Sequence, residues 1–290
     1  MTDWITITSG ALTAAINPLG AELSSLRDAD GRELMTDADP AFWTGRAPLL
    51  FPVIGRCHDD RIVIDGRAYP MPKHGFARRS AFALIEHGAD RALFRLEDSA
   101  ETRAAYPFAF RLDASFAIED ATLTTTISLH NPGDRPLPAG FGFHPAFAWP
   151  LPYGAAREAH SMVFDAHEPG LLTRITPEGY STAPVRPSPV EGDTLPLADT
   201  LFEDDALVWN PVASRGLRYG PPQGPWLDIA WDAPRLGVWT KPGARFVCVE
   251  PWHGLADPEG FGGEFREKPG VFEVATGKTW RCAMRVGLVA

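Results

Sequence analysis

Apolar and polar residues alternate along this chain with a period of two far more often than they recur at helical spacing, so strands are the expected elements over most of its length. Ile5 and Ile7 alternate with threonines, and Leu12, Ala14 and Ile16 continue the pattern after a Ser-Gly turn. Asp65-Gly66 lies between Ile62-Val63-Ile64 and Arg67-Ala68-Tyr69, and an Asp-Gly pair between short apolar runs predicts a tight hairpin. A second hairpin is expected where Phe110, Leu112, Ala114, Phe116 and Ile118 alternate, Glu119-Asp120 turns, and Leu123 to Leu129 returns in threonine-rich sequence. Helix is expected only from Ser99 to Ala105, before Tyr106-Pro107 breaks it. Residues Glu168 to Leu197, dense in Pro, Gly, Thr and Ser, read as a long loop system, with alternation resuming at Leu207 and near Trp226. Many short strands between turns predict an all-β fold, a large antiparallel β-sandwich with few short helices. No composition shift marks a boundary, so residues 1–290 are expected to form one domain.

Composition narrows the partners. The 290 residues carry a net charge of −10, which repels phosphate backbones and anionic lipid, so neither nucleic acid nor a membrane surface is an expected partner. Cys57, Cys248 and Cys282 lie far apart without a Cys-x-x-Cys pair, which signals no zinc knuckle and no disulfide framework and fits a reducing compartment. The opening residues lack a basic region ahead of an apolar stretch, and no window approaches the about 18 apolar residues of a membrane span. A cytoplasmic location is the resulting expectation.

Three segments carry candidate chemistry. In Phe141-Gly142-Phe143-His144-Pro145 an extended backbone turns both phenylalanines to one face and His144 to the other, with Gly142 expected to leave room beside the imidazole. A histidine among aromatics suits a sugar or other small polar ligand and can act as acid or base near neutrality, or it is a hydrogen-bonded structural residue. In Arg245 to Gly254, Phe246, Cys248 and Glu250 share one strand face. A carboxylate there finds donors or carries a raised pKa, so Glu250 is either a catalytic base or the partner of a buried arginine. Trp252, just beyond it, is a flat surface for a sugar ring or a core aromatic. The third segment is Met71 to Arg78, where His74 precedes a glycine on a proline-stiffened loop. Upstream, Arg56 closes the apolar run Phe51 to Gly55, as a ligand contact or as an ordinary surface charge.

No His-x-His or His-x-x-x-His spacing occurs, and neither metal nor cofactor is expected. Gly260-Phe261-Gly262-Gly263 lacks the Lys-Ser/Thr of a phosphate loop, and no Gly-x-Ser-x-Gly elbow is present.

Together and in this order, six segments resemble the aldose 1-epimerase, or galactose mutarotase-like, family: Ile16 to Leu26, Phe51 to Arg56, Lys73 to Arg78, Gly142 to Phe147, Leu201 to Leu207 and Val249 to Gly254. The resemblance covers nearly the whole chain. It implies a supersandwich whose concave face binds a hexose, with Glu250 as base on the anomeric hydroxyl and His144 as acid on the ring oxygen. It also implies that His74, Arg56 and an aspartate hold the sugar. Asp205 is the expected aspartate of the Asp204-Asp205 doublet because it directly precedes Ala-Leu. Interconverting anomers requires one base and one acid and consumes no cofactor, with an ionised glutamate and a protonated histidine as the natural starting pair.

The implied activity is therefore that of an isomerase, an aldose 1-epimerase acting on a free aldohexose in a monomer or homodimer. Lys73, Arg78 and Arg79 keep open a hexose 6-phosphate instead. Two readings from other classes stand beside it. One is a non-catalytic carbohydrate-binding β-sandwich, which needs no acid and base. The other is a glycoside hydrolase or lyase, with Asp205 recruited as a second carboxylate.

Overall fold

The computed structural model describes residues 4–290. Among these residues strands dominate and no helix reaches seven residues. The one α-helix, Ala100–Ala105, is capped by Ser99, whose hydroxyl accepts the Thr102 N–H. That is where the sequence predicts it, and it ends at Tyr106 as the following proline requires.

Two large antiparallel sheets face each other. The nine-stranded sheet has Thr194–Pro196 and Ala83–His87 at its edges and Thr279–Val289 at its centre, beside the hairpin Arg111–Glu119 and Thr122–His130. Leu123 sits opposite both Ile118 and Val286, and Ile127 opposite both Ala114 and Cys282, so alternate side chains form one continuous inner face. The second sheet has eight strands and centres on Phe246–His253, which pairs with Arg235–Trp239, Phe141–Phe143 and Ala146–Ala148. Val247 and Val249 face the nine-stranded sheet and join the main core, whereas Phe246 and Cys248 join a separate cluster on the other face.

The Asp65-Gly66 hairpin forms as expected, with both turn residues in the left-handed region (φ 52° and 73°), the condition for a turn whose twist matches its strands. The carboxylate of Glu264 accepts both turn N–H groups, at 2.9 and 2.7 Å. The hairpin Arg111–Glu119 and Thr122–His130 also forms, turning at Asp120-Ala121, one residue later than expected.

The segment from Glu168 to Leu197 differs from expectation. It is not a loop system but contributes strands Leu171–Ile175, Ser181–Pro187 and Thr194–Pro196. Ser181–Pro187 and Thr194–Pro196 are edge strands, where a proline need not donate to a neighbour, and so Pro184, Pro187 and Pro196 mask strands rather than abolish them. No helix among the described residues is long and apolar enough to cross a membrane.

Candidate active site

The outer face of the strand Phe246–His253 is the floor of a cavity of about 560 Å³. Glu250 and Trp252 reach it from this strand, His144 from the turn after Phe141–Phe143, and Trp239 from the neighbouring strand. Loops complete the walls with Trp43, Lys73, His74, Arg78, Asp205 and Lys241. Ile175 and Gly179 also line it, so the segment expected to be loop is part of the wall.

At the centre the His144 Nε2 lies 3.2 Å from Glu250 Oε2, with the two side chains 9% and 2% exposed. Burial pushes the Glu250 carboxyl well above the ordinary carboxylate range, helped by the negative charge of Asp205. The Trp252 indole faces that carboxyl without meeting the geometry of a full hydrogen bond and opposes the shift only weakly. Burial also pushes the His144 imidazole down to about 3, with the cations Arg78 and Lys73 acting in the same direction. Both shifts favour the uncharged pair, a protonated Glu250 beside a neutral His144, over the ionised pair taken as the natural starting point from sequence. The physical reason is desolvation, which penalises two separated charges more than one shared proton. Either arrangement holds one proton in total.

Aromatic rings fix the His144 plane. Trp43 stacks on it at 4.8 Å with planes 29° apart, and Trp239 meets it edge-on at 5.9 Å. Gly142 makes room not for the imidazole but for Trp252, whose indole would lie 2.6 Å from a Cβ at Gly142 and at Gly237 alike. Trp252 is thus wedged between two glycines on flanking strands and is only 5% exposed. The open aromatic surfaces are Trp43 and Trp239.

His74 lies edge-on to His144 with ring centres 5.8 Å apart. Its own N–H donates to the Gly55 carbonyl at 2.8 Å, and the Gly55 N–H donates back to its Nδ1 at 3.1 Å. Because Nδ1 accepts, the ring proton of neutral His74 resides on Nε2. Burial and then the His144 ring hold this imidazole well below its ordinary pKa. The backbone turns sharply here: His74 and Gly75 have φ of 68° and 75°, and a Cβ at Gly75 would lie 2.0 Å from the Phe51 carbonyl oxygen. Gly55 in turn abuts Ala256, and beneath them a buried Lys268 Nζ pairs with Asp257 at 2.7 Å.

Asp205 lines the cavity with φ of 71° and accepts the Ala206 N–H at 2.8 Å. Its neighbour Asp204 instead pairs with Arg174 at 3.7 Å on the exposed surface. Arg56 departs from expectation. It is absent from the cavity wall, because its guanidinium binds both oxygens of Asp60 at 2.9 and 3.1 Å and donates to the Glu178 carbonyl. The cations that do reach the cavity are Lys73, Arg78 and Lys241, and among the described residues none of them makes an ion pair. Arg79 lies in a different groove. Sequence reasoning missed Trp43, Trp239 and Lys241. Trp239 had a signal, since it falls on the face opposite Val238 at the end of an alternating run, but Trp43 sits in a loop with no periodicity. Cys248 lies beneath the pair, its thiol within 4.8 Å of both donors.

The architecture is that of the galactose mutarotase-like β-sandwiches. A galactose mutarotase related enzyme from Lactobacillus acidophilus superposes with a TM-score of 0.91 at 27% identity, over 99% of this chain and 97% of that one. A galactose mutarotase-like protein from Lactobacillus casei does so with a TM-score of 0.91 at 29% identity, over 99% and 100%. Within that class, the chain belongs to the aldose 1-epimerase family, whose model matches residues 3–267. The plasmid-borne protein LacX of Lactococcus lactis subsp. lactis is 30% identical over 274 residues, 91% of this chain and 92% of the relative.

Proposed function

We propose that this protein is an aldose 1-epimerase that interconverts the α and β anomers of a free aldohexose. The observation that carries the reading is the buried His144–Glu250 contact of 3.2 Å on the floor of an open cavity. Ring opening takes a proton from the C1 hydroxyl and gives one to the ring oxygen. With the shared proton on His144, Glu250 accepts from the hydroxyl while the imidazole donates to the ring oxygen. The aldehyde rotates about its C1–C2 bond, and closure runs the two transfers backward from the other face. The pair ends ring opening as protonated Glu250 and neutral His144, which is the form that burial favours. Direct contact between the two lets the proton return without bulk water. Neutral His74 presents an N–H, and Asp205 presents a carboxylate, to the sugar hydroxyls.

Following fresh α-D-glucose and α-D-galactose by polarimetry tests the proposal. Faster equilibration that falls by at least about 10²-fold in Glu250→Gln is expected, in line with general-base contributions. Sugar binding without acceleration would replace it with the carbohydrate-binding module.

A hexose 6-phosphate is the second reading, favoured by Lys73, Arg78 and Lys241 on the wall. Higher kcat/KM on glucose 6-phosphate than on glucose, measured by NMR, would install it in place of the free sugar.

A further inference from the structure

On the opposite face of the strand that carries Glu250, His253 points toward the nine-stranded sheet. Positions 247, 249, 251 and 253 share that face, so the Glu250-Pro251-Trp252-His253 spacing does not bring Glu250 and His253 together. What His253 meets is Cys282, on the inner face of the central strand Thr279–Val289, and Asp232, just past the strand Trp226–Trp231. The three donor atoms lie within 4.8 Å of one another, and His253 Nε2 is 3.8 Å from Asp232 Oδ1. His253 Nε2 is shielded from solvent and has no hydrogen-bond partner among the described residues. A buried ring nitrogen left unpaired costs free energy that a ligand can restore.

We propose that Asp232, His253 and Cys282 form a site for a thiophilic divalent cation, with zinc as the best match, that ties the two sheets together at the end of the catalytic strand. The donor set combines sulfur, imidazole nitrogen and carboxylate oxygen, the mixture zinc accepts in tetrahedral sites. Bond lengths of about 2.0–2.3 Å to such donors require them about 3.3–3.6 Å apart. The observed 3.8 Å between His253 and Asp232 is therefore within a small rotation of the half-exposed Asp232 side chain. The ion displaces the thiol proton, and thiolate plus carboxylate then neutralise its two charges, which suits a site closed on one side by protein. Water completes the fourth position from the exposed Asp232 side. The Ala283 N–H, 3.1 Å from both Asp232 oxygens, aims the carboxylate. Trp280, edge-on to His253 at 4.9 Å, walls the imidazole in.

Titrating the full chain with Co²⁺ and then displacing it with Zn²⁺ tests the site. One equivalent of cobalt with a thiolate-to-cobalt absorption band is expected. That band should vanish in Cys282→Ser and in His253→Gln, persist in Cys248→Ser, and appear at about tenfold higher cobalt in Asp232→Asn. His253→Gln alters a side chain at the sandwich rim and keeps the test decisive if Cys282→Ser fails to fold. Absence of the band in the wild-type chain overturns the proposal. So does a band that survives Cys282→Ser or His253→Gln in folded protein, or one abolished by Cys248→Ser, which would move the ion to the sugar cavity. None of these readouts depends on mutarotase activity.

Discussion

The strand Thr122–His130 in one sheet and the strand Phe246–His253 in the other are both central and antiparallel, yet they bury their side chains differently. The first buries every second residue, whereas the second buries seven in succession. In the nine-stranded sheet one face meets the core and the other meets water, so polarity alternates with the pleat. In the eight-stranded sheet the far face is roofed by the Trp43 loop and the Asp205 turn, and a carboxylate and an imidazole sit where apolar residues would pack more cheaply. A buried ionisable pair costs stability relative to an apolar one of the same shape. On the proposed mechanism, the difference marks where the chain keeps polar groups at a cost to folding.

The largest expected effect separates the two regions directly. Ile127→Ala, in the regular sheet, should lower stability by about 2–5 kcal/mol and leave the rate per folded molecule unchanged. His144→Asn should cost at least about 10²-fold in mutarotation with an intact fold. Chemical denaturation and polarimetry on both variants make the check. A His144→Asn protein that is less stable but turns over normally per folded molecule would make the pair structural and erase the contrast.

Next in size is a pair of glycine substitutions. Gly75→Ala places a methyl 2.0 Å from the Phe51 carbonyl oxygen, at φ of 75°, and must move His74. A loss of more than about 1 kcal/mol together with about tenfold in kcat/KM is expected. Gly10→Ala, at φ of 91° with no neighbour to meet, should carry only the backbone strain and leave kcat/KM untouched.

The legibility of the sequence divides along the same line. Strict alternation made the Arg111–Glu119 and Thr122–His130 hairpin readable, and Asp65-Gly66 announced its own turn. Prolines on edge strands hid Ser181–Pro187 and Thr194–Pro196, since a residue excluded from sheet interiors is harmless where one side of the strand is free. In the cavity, the shared face of Cys248 and Glu250 could be read from the pleat. The approach of His144, His74 and Asp205 could not, because it depends on contacts between residues 45 to 176 positions apart. The order of six motifs supplied it by resemblance. The charge state of the pair was not legible for a plainer reason: burial favours a protonated carboxylate, a neighbouring imidazolium opposes it, and the depth of the pair is visible only in the fold.

Smaller effects appear in the pH dependence of stability. The folded-state pKa values of His74 and His144 lie below the unfolded value of 6.5, and that of Glu250 lies above 4.5. Between pH 4.5 and 6.5 the unfolded chain therefore holds two protons on these groups and the folded chain at most one, so stability falls as pH drops through that window. The slope from these groups is at least about 1.4 kcal/mol per pH unit. Replacing His144 by asparagine removes one proton from the unfolded count and should flatten the window. Urea melts across the range decide it, and an unchanged slope would mean that His144 is charged in the folded protein. The rate follows the same pair: kcat/KM should hold its value down to the His144 step near 3, not decline near 6.5.

The smallest effect expected is also the sharpest test of where the cavity ends. Arg56 and Arg78 look alike as isolated cations in sequence. In the folded chain Arg56 is half-buried outside the cavity, chelated by Asp60 and stacked 5.7 Å from the Tyr180 ring, while Arg78, also half-buried, lies on the cavity wall without an ion pair among the described residues. Arg56 is held by Asp60 away from the cavity wall, so Arg56→Ala should change KM by less than about twofold. Arg78→Ala removes a cation that faces the ligand and, by relieving its pressure on His144, should also shift the acid limb of the rate profile upward. An equal rise in KM for both variants would mean that Arg56 swings from Asp60 to the sugar on binding. The cavity wall would then extend past Gly179, and the bound site would be more polar than the empty one.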